Sequence, residues 1–258
     1  RKKEFLENFE IVFRQILFLM VPVSLLLFIL RAQVVRVVLG TFGERGRFDW
    51  SATQLTAASL GLFAIGILAS AFIPLLARAF FSFQDTKTPT IVAIISVSLN
   101  ISLSLFFVKI LNEVNFFSTF LRNILKLINI TNISTIGLAL AFSAAAIVQF
   151  TLLFYFLYRK IGNFGLQNIL KSLFKILAAG LLCGALAFLG LHFIDIFADT
   201  DKVLGIFLQT LAAGLSGILL YFGIAFMMKF SELDIILQSF RKQFRKGVVS
   251  PEIEIAQP

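Results

Sequence analysis

Six stretches of this chain, 9–30, 55–81, 90–108, 135–158, 176–194 and 204–228, are apolar over the length needed to cross a lipid bilayer as a helix. A hydrocarbon core of about 30 Å takes about 20 residues, and a backbone in lipid must satisfy its own N–H and C=O groups. Glu10, at the edge of the first stretch, is the single acidic residue within the six. Of the 258 residues, 59% are hydrophobic, 32 are Phe and 14% are charged, against about 25% charged in a soluble domain. The fold class that follows is an all-α integral membrane protein with six spans. Cys183, the only cysteine, lies inside the fifth, so there is no disulfide framework and no CxxC motif.

A net charge of +9 would suggest a nucleic-acid partner in a soluble protein. Here the basic residues flank apolar spans, as topology and anionic headgroups require, and no nucleic acid is expected. With the N-terminus inside, fifteen of the 23 Lys and Arg fall on the cytoplasmic side, among them Arg1, Lys2, Lys3, Arg14, Arg78, Lys87, Arg159, Lys160 and Lys229. The positive-inside rule then places both ends in the cytoplasm. The chain opens on Arg1 with no cleavable signal pattern before its first span, which reads as a segment beginning inside a longer protein.

Between the second and third spans lies a polar clasp, Gln84, Asp85, Thr86, Lys87, Thr88 and Pro89. Asp85 and Thr86 suit bonds to nearby backbone N–H groups. Pro89 suits the first turn of a new helix. In the first span Pro22 removes one backbone bond, giving either a hinge or a packing kink. Arg31, Gln33 and Arg36 then mark a short continuation into the headgroups, followed by the outer loop Glu44, Arg45, Gly46, Arg47, Phe48, Asp49 and Trp50.

The third span is the most polar. Ser96, Asn100 and Ser104 share one face and Ser98 and Ser102 a neighbouring one, serving either interhelical hydrogen bonds or an ion or substrate site. In the outer insertion 109–134, Phe117, Phe120, Leu121, Ile124, Leu125 and Ile128 line up against Asn115, Ser118, Thr119, Arg122 and Lys126, predicting an amphipathic helix on the outer leaflet. A second interfacial helix is expected over the connector at 164–175. A third, basic and cytoplasmic, is expected over 231–246, with a disordered tail at 247–258. In the last two spans Gly180 and Gly184 form a GxxxG face, and Ala213 with Gly217 a second small-residue face. These either pack tightly or, with Phe188 and Phe222 nearby, leave a lipid-accessible furrow.

Covalent chemistry finds little footing. Asp195, Asp199 and Asp201 share one outer loop without a second carboxylate cluster. His192 is the only histidine, and no phosphate-binding glycine loop is present. A non-enzymatic role, moving or binding something in the membrane, is expected.

The run from Leu76 through Ala77, Arg78, Ala79, Phe80 and Phe81 to the clasp resembles the loop between the tenth and eleventh helices of the MurJ/MviN lipid II flippases, and Glu44, Arg45, Gly46, Arg47 and Phe48 resemble that family's ERGxF segment. Gly137, Leu138, Ala139, Leu140 and Ala141 resemble its twelfth helix. The resemblance implies helices nine to fourteen of a fourteen-helix transporter of the multidrug/oligosaccharidyl-lipid/polysaccharide exporter superfamily, in the bacterial cytoplasmic membrane. Lipid II or a related polyprenyl-linked precursor, membrane lipids and the N-terminal lobe of the same protein would be its partners. It also implies a tail groove along the last two helices, with Gly180, Gly184, Phe188, Ala213 and Gly217 as candidates. Some members bind sodium in this lobe, and Asn100 matches one such position. Ser104 stands where Asn or Asp is usual and Phe142 where a hydroxyl is common. The insertion 109–134 is longer than the family's usual loop. A flippase for another polyprenyl-linked saccharide, or a silent scaffold for cell-wall enzymes, are the alternative readings.

Overall fold

A computed structural model describes residues 2–42, 50–125, 127, 130, 132–162, 164–195, 203–236 and 238. Among them the secondary structure is helical throughout: α1 (Lys2–Ile29), α2 (Arg31–Phe42), α3 (Trp50–Ser70), α4 (Ile73–Ser82), α5 (Lys87–Asn112), α6 (Phe116–Leu125), α7 (Ile136–Ile161), α8 (Leu166–Asp195) and α9 (Val203–Met227). A further helical segment covers 231–236. Six segments are long and apolar enough to span a membrane, with α3 and α4 together making the second. The chain is thus a multi-pass all-α membrane protein. The loop residues Glu44, Arg45, Gly46, Arg47 and Phe48, the aspartates Asp199 and Asp201, and the stretch 239–258 lie outside the described residues.

α7 sits between α5 and α3 because its face is small. Gly137, Ala139, Ala141, Ser143, Ala145 and Ala146 are all buried, which lets neighbouring backbones approach. A Cβ on Gly137 would lie 2.9 Å from the backbone of Phe107 and Val108, and one on Gly66 would lie 2.8 Å from the Ser143 backbone.

Two main cores result, one at each end. At the basic end Phe9, Phe13, Phe18, Phe72, Leu76, Phe80, Leu157 and Phe164 pack together, with Phe13 stacked on Phe72 at 4.5 Å and Phe9 edge-on to Phe164 at 5.2 Å. Phe5 against Phe83 ties the start of α1 to the clasp. At the opposite end Leu111, Leu121, Leu125, Leu127, Ile130, Ile133 and Ile136 close over Ala58 and Leu62.

Three expectations change. The second span is broken at Ala71 and Phe72, because Pro74, in the first turn of α4, has no N–H for the Ser70 carbonyl and its ring crowds it. The connector at 164–175 forms no separate surface helix. From Leu166 it is continuous with the fifth span in α8, burying Ile169, Ser172 and Ile176 on one face. In α6 the inward face is Ser118, Leu121 and Leu125, while Phe120 and Ile124 are exposed. Ser118 tolerates burial because it is satisfied locally: its N–H donates to Asn115 Oδ1 at 2.7 Å and the Asn115 N–H donates to Ser118 Oγ at 2.9 Å. This is a reciprocal cap that fixes which side of the helix turns in. Arg122 donates to the Ile130 carbonyl and holds the following strand of loop beneath it.

Candidate functional site

The clasp is built as two interlocking helix ends. Asp85 N–H donates to the Phe80 carbonyl and Gln84 N–H to the Phe81 carbonyl, a Schellman closure of α4 with Gln84 at φ +57°. Asp85 then turns to α5, where its carboxylate accepts from the Thr88 N–H at 3.0 Å and the Thr88 hydroxyl at 2.9 Å. Its outer oxygen takes the Lys160 ammonium at 2.5 Å, which pins the end of α7 to the loop. The Lys160 hydrogen bond, followed by the backbone N–H of Thr88, holds the Asp85 carboxyl down to about 2. Thr86 and Lys87 are exposed, and Pro89 is buried in the first turn of α5.

On α5, Ser96 is buried and its hydroxyl donates to the Ala145 carbonyl at 3.2 Å. Asn100 and Ser104 are half-buried, with the Ser104 hydroxyl donating to Asn100 Oδ1 at 3.3 Å. Ser98 and Ser102 face outward and bond only within the helix. Phe142 packs edge-on against Phe63 at 5.2 Å, and Ser143 donates to the Leu62 carbonyl at 2.8 Å. Hydroxyls thus stitch α7 to both neighbours.

The small-residue faces separate. Gly180 and Gly184 lie against α1, where an added Cβ would sit 2.8 Å from Leu25 and 2.7 Å from Ile29, respectively. Ala213 is fully buried with Leu26 and Leu30. The Gly217 carbonyl accepts from the Cys183 thiol at 2.7 Å, joining α9 to α8. Phe188 faces outward from α8. Beside this seam, between α2 and α9, an open apolar furrow of about 300 Å³ is lined by Leu30, Val37, Phe207, Leu211, Gly214 and Ile218, among others. Gly214 keeps it open: a Cβ there would meet only Leu30, at 3.7 Å.

Two polar contacts escape inspection of the sequence because their partners lie far apart in it. Pro22 has no N–H for the Phe18 carbonyl, and the Tyr221 hydroxyl donates to that carbonyl at 2.9 Å. Arg14 grips Glu232 through Nε at 2.9 Å and Nη2 at 2.8 Å, reaches Ser231 at 2.7 Å, and lies 3.6 Å from Glu10. Burial pushes the Glu232 carboxyl up, but its own N–H, Arg14 and Ser172 outweigh that and hold it below the usual range.

A sequence model of the family "Lipid II flippase MurJ" matches residues 1–212. Proteins named "Probable lipid II flippase MurJ" are similar to this chain. The one from Rhizobium tropici is 33% identical over 98 residues, 38% of this chain and 18% of that protein. The one from Bdellovibrio bacteriovorus is 32% identical over 103 residues, 40% of this chain and 19% of that protein. The one from Buchnera aphidicola subsp. Schizaphis graminum is 27% identical over 203 residues, 77% of this chain and 34% of that protein. The chain therefore spans about a third of the length of the last relative and less of the other two.

Proposed function

Because this chain belongs to the MurJ lipid II flippase family, we propose that it is the C-terminal six-helix part of a flippase that carries the lipid-linked peptidoglycan precursor from the inner to the outer leaflet. No covalent step is involved. The transporter works by alternating access, two lobes rocking about a central cavity, with this segment supplying most of one lobe and the rest of the same protein the other. It resides in the bacterial cytoplasmic membrane, the Arg14 and Lys160 end facing the cytoplasm, in keeping with the positive-inside rule.

The observation that carries this reading is the apolar furrow between α2 and α9. A polyprenyl tail needs a continuous greasy path and no reactive group, and the furrow supplies that beside a seam whose spacing is set by Gly180, Gly184, Ala213 and Gly217. We read Asn100 and Ser104 as a pair internal to α5 and not as a sodium site. The Ser104 hydroxyl bonds along its own helix to Asn100 Oδ1, Phe142 stands where the family resemblance expects a hydroxyl, and α5 and α7 contain no carboxylate to balance a cation. Two neutral oxygens on one helix supply only part of the oxygen shell that a hard cation takes.

The test is Gly214→Leu in the full-length protein. It fills the furrow without touching the seam, so lipid II exposure on the outer leaflet should fall sharply at unchanged expression and thermal midpoint. Normal exposure would remove the furrow from the tail's path. Asn100→Ala should leave any sodium dependence of transport as it is in the parent protein, and loss of a large dependence would restore the sodium site.

A further inference from the structure

At the basic end, the junction of α1, α8 and the segment after α9 encloses a cavity of about 50 Å³, lined by Arg14, Ser172, Lys175, Lys229, Ser231 and Glu232 with Ile176 and Phe230 at its back. Three cations and two hydroxyls face one carboxylate. That carboxylate is already committed, since Glu232 is 4% exposed and held by Arg14 through two nitrogens. Lys175 and Lys229 have no acidic partner within ion-pair distance among the described residues. The cavity therefore carries surplus positive charge.

Lys229 is placed there at a conformational cost. Its φ is +48°, in the left-handed region where glycine is usual. The turn that holds it is a Schellman closure, with Phe230 N–H donating to the Ala225 carbonyl at 3.0 Å and Lys229 N–H to the Phe226 carbonyl at 3.1 Å. These bonds also occupy α9 carbonyls that would otherwise repel an anion. In the same turns as the two lysines, Phe174, Phe226 and Met227 project outward and are 71%, 73% and 83% exposed, an apolar surface directly beside the charged one.

We propose that this cavity binds the phosphodiester of an anionic phospholipid, its acyl chains lying along Phe174, Phe226 and Met227. Each element has its role. Lys175 and Lys229 meet the phosphate charge, while Arg14, Ser172 and Ser231 all bond to Glu232 and keep its carboxylate from opposing it. A free phosphate would satisfy the cations equally but would make no use of the apolar flank, so the lipid is the source the surface fits. The site is distinct from the furrow between α2 and α9, and nothing about it depends on what the protein transports.

The experiment uses the full-length protein in detergent micelles, titrated with short-chain phosphatidylglycerol and with phosphatidylcholine, read by native mass spectrometry. Phosphatidylglycerol should be retained preferentially, and Lys229→Gly should weaken its binding about fivefold, the effect of one basic side chain at a charged lipid surface. Because glycine suits the left-handed turn, that variant should keep or raise its thermal midpoint, so a loss of binding is not a loss of fold. Lys175→Gln should weaken binding similarly, and Lys171→Gln, one turn away and outside the cavity, should not. Equal retention of the two lipids, or unchanged phosphatidylglycerol binding in both lining variants, would overturn the site. Displacement of phosphatidylglycerol by inorganic phosphate at matching concentration would overturn the lipid assignment.

Discussion

The hydroxyl of Tyr221 on α9 donates to the carbonyl of Phe18 on α1, the acceptor that Pro22 leaves without a helical partner. A proline in one helix and a tyrosine about two hundred residues later thus form one unit, and Tyr221 and Phe18 are both fully buried at that junction. Tyr221→Phe should destabilise the protein by about 1 kcal/mol, the cost of a buried carbonyl left unmet. In a Pro22→Ala background the restored N–H takes that carbonyl, and the same substitution should cost markedly less. Equal costs in the two backgrounds, measured by unfolding in micelles, would show that the tyrosine does not answer the proline.

The clasp predicts a pH window. Asp85 has a folded-state carboxyl held down to about 2 against an ordinary 3.8, chiefly by Lys160. A depressed carboxyl adds stability that is fully present above the ordinary value and is lost as pH falls through the lower one. Stability should therefore decline between about pH 4 and 2, and Asp85→Asn should flatten the decline in that interval. An identical acid profile for the variant would count against the ion pair.

Glycine contacts rank the seams. At Gly137 a Cβ meets backbone on α5, which cannot yield, whereas at Gly184 it meets only the flexible tip of Ile29. Gly137→Ala should cost about 2 kcal/mol, as an overpacked site does, and Gly184→Ala much less. Gly184→Leu, which cannot be absorbed by one side-chain tip, should impair lipid II exposure through the α1 to α8 seam. Thermal midpoints in the reverse order would refute the ranking.

Gln84 holds a left-handed conformation at φ +57° with its side chain exposed. Gln84→Gly should stabilise by up to about 1 kcal/mol, relief of a side chain held where glycine rests comfortably. A lower thermal midpoint would mean that the glutamine side chain makes a contact that matters more than its backbone.

Much of this architecture is legible from the chain itself. Apolar length alone finds the six spans, because lipid allows few alternatives to a helix, and the clasp is readable because Asp85, Thr88 and Pro89 act on neighbours within four residues. The break at Ala71 was equally local, signalled by Pro74, but a long hydrophobic run conceals a proline that neighbouring helices can accommodate. The α6 face misled for a different reason. Counting polar residues assigns Ser118 to water, whereas its partner Asn115, three residues back, satisfies it and frees that side for the core. Arg14 with Glu232, Tyr221 with Phe18, and Gly184 against Ile29 depend on which helices meet, and no local pattern contains that information.

The segment from Phe116 to Ile136 encloses apolar side chains of its own, closed by the Asn115 and Ser118 exchange and by Arg122 on Ile130. That interior is shared with the helices below, through Leu111 of α5, Ala58 and Leu62 of α3 and Ala139 of α7. Its outward side, where Phe120 and Ile124 are exposed, can change without touching the register of α5 against α7. The end of the molecule away from Arg14 is in that sense an open drafting table, where new recognition can be tried without redrawing the machine beneath it.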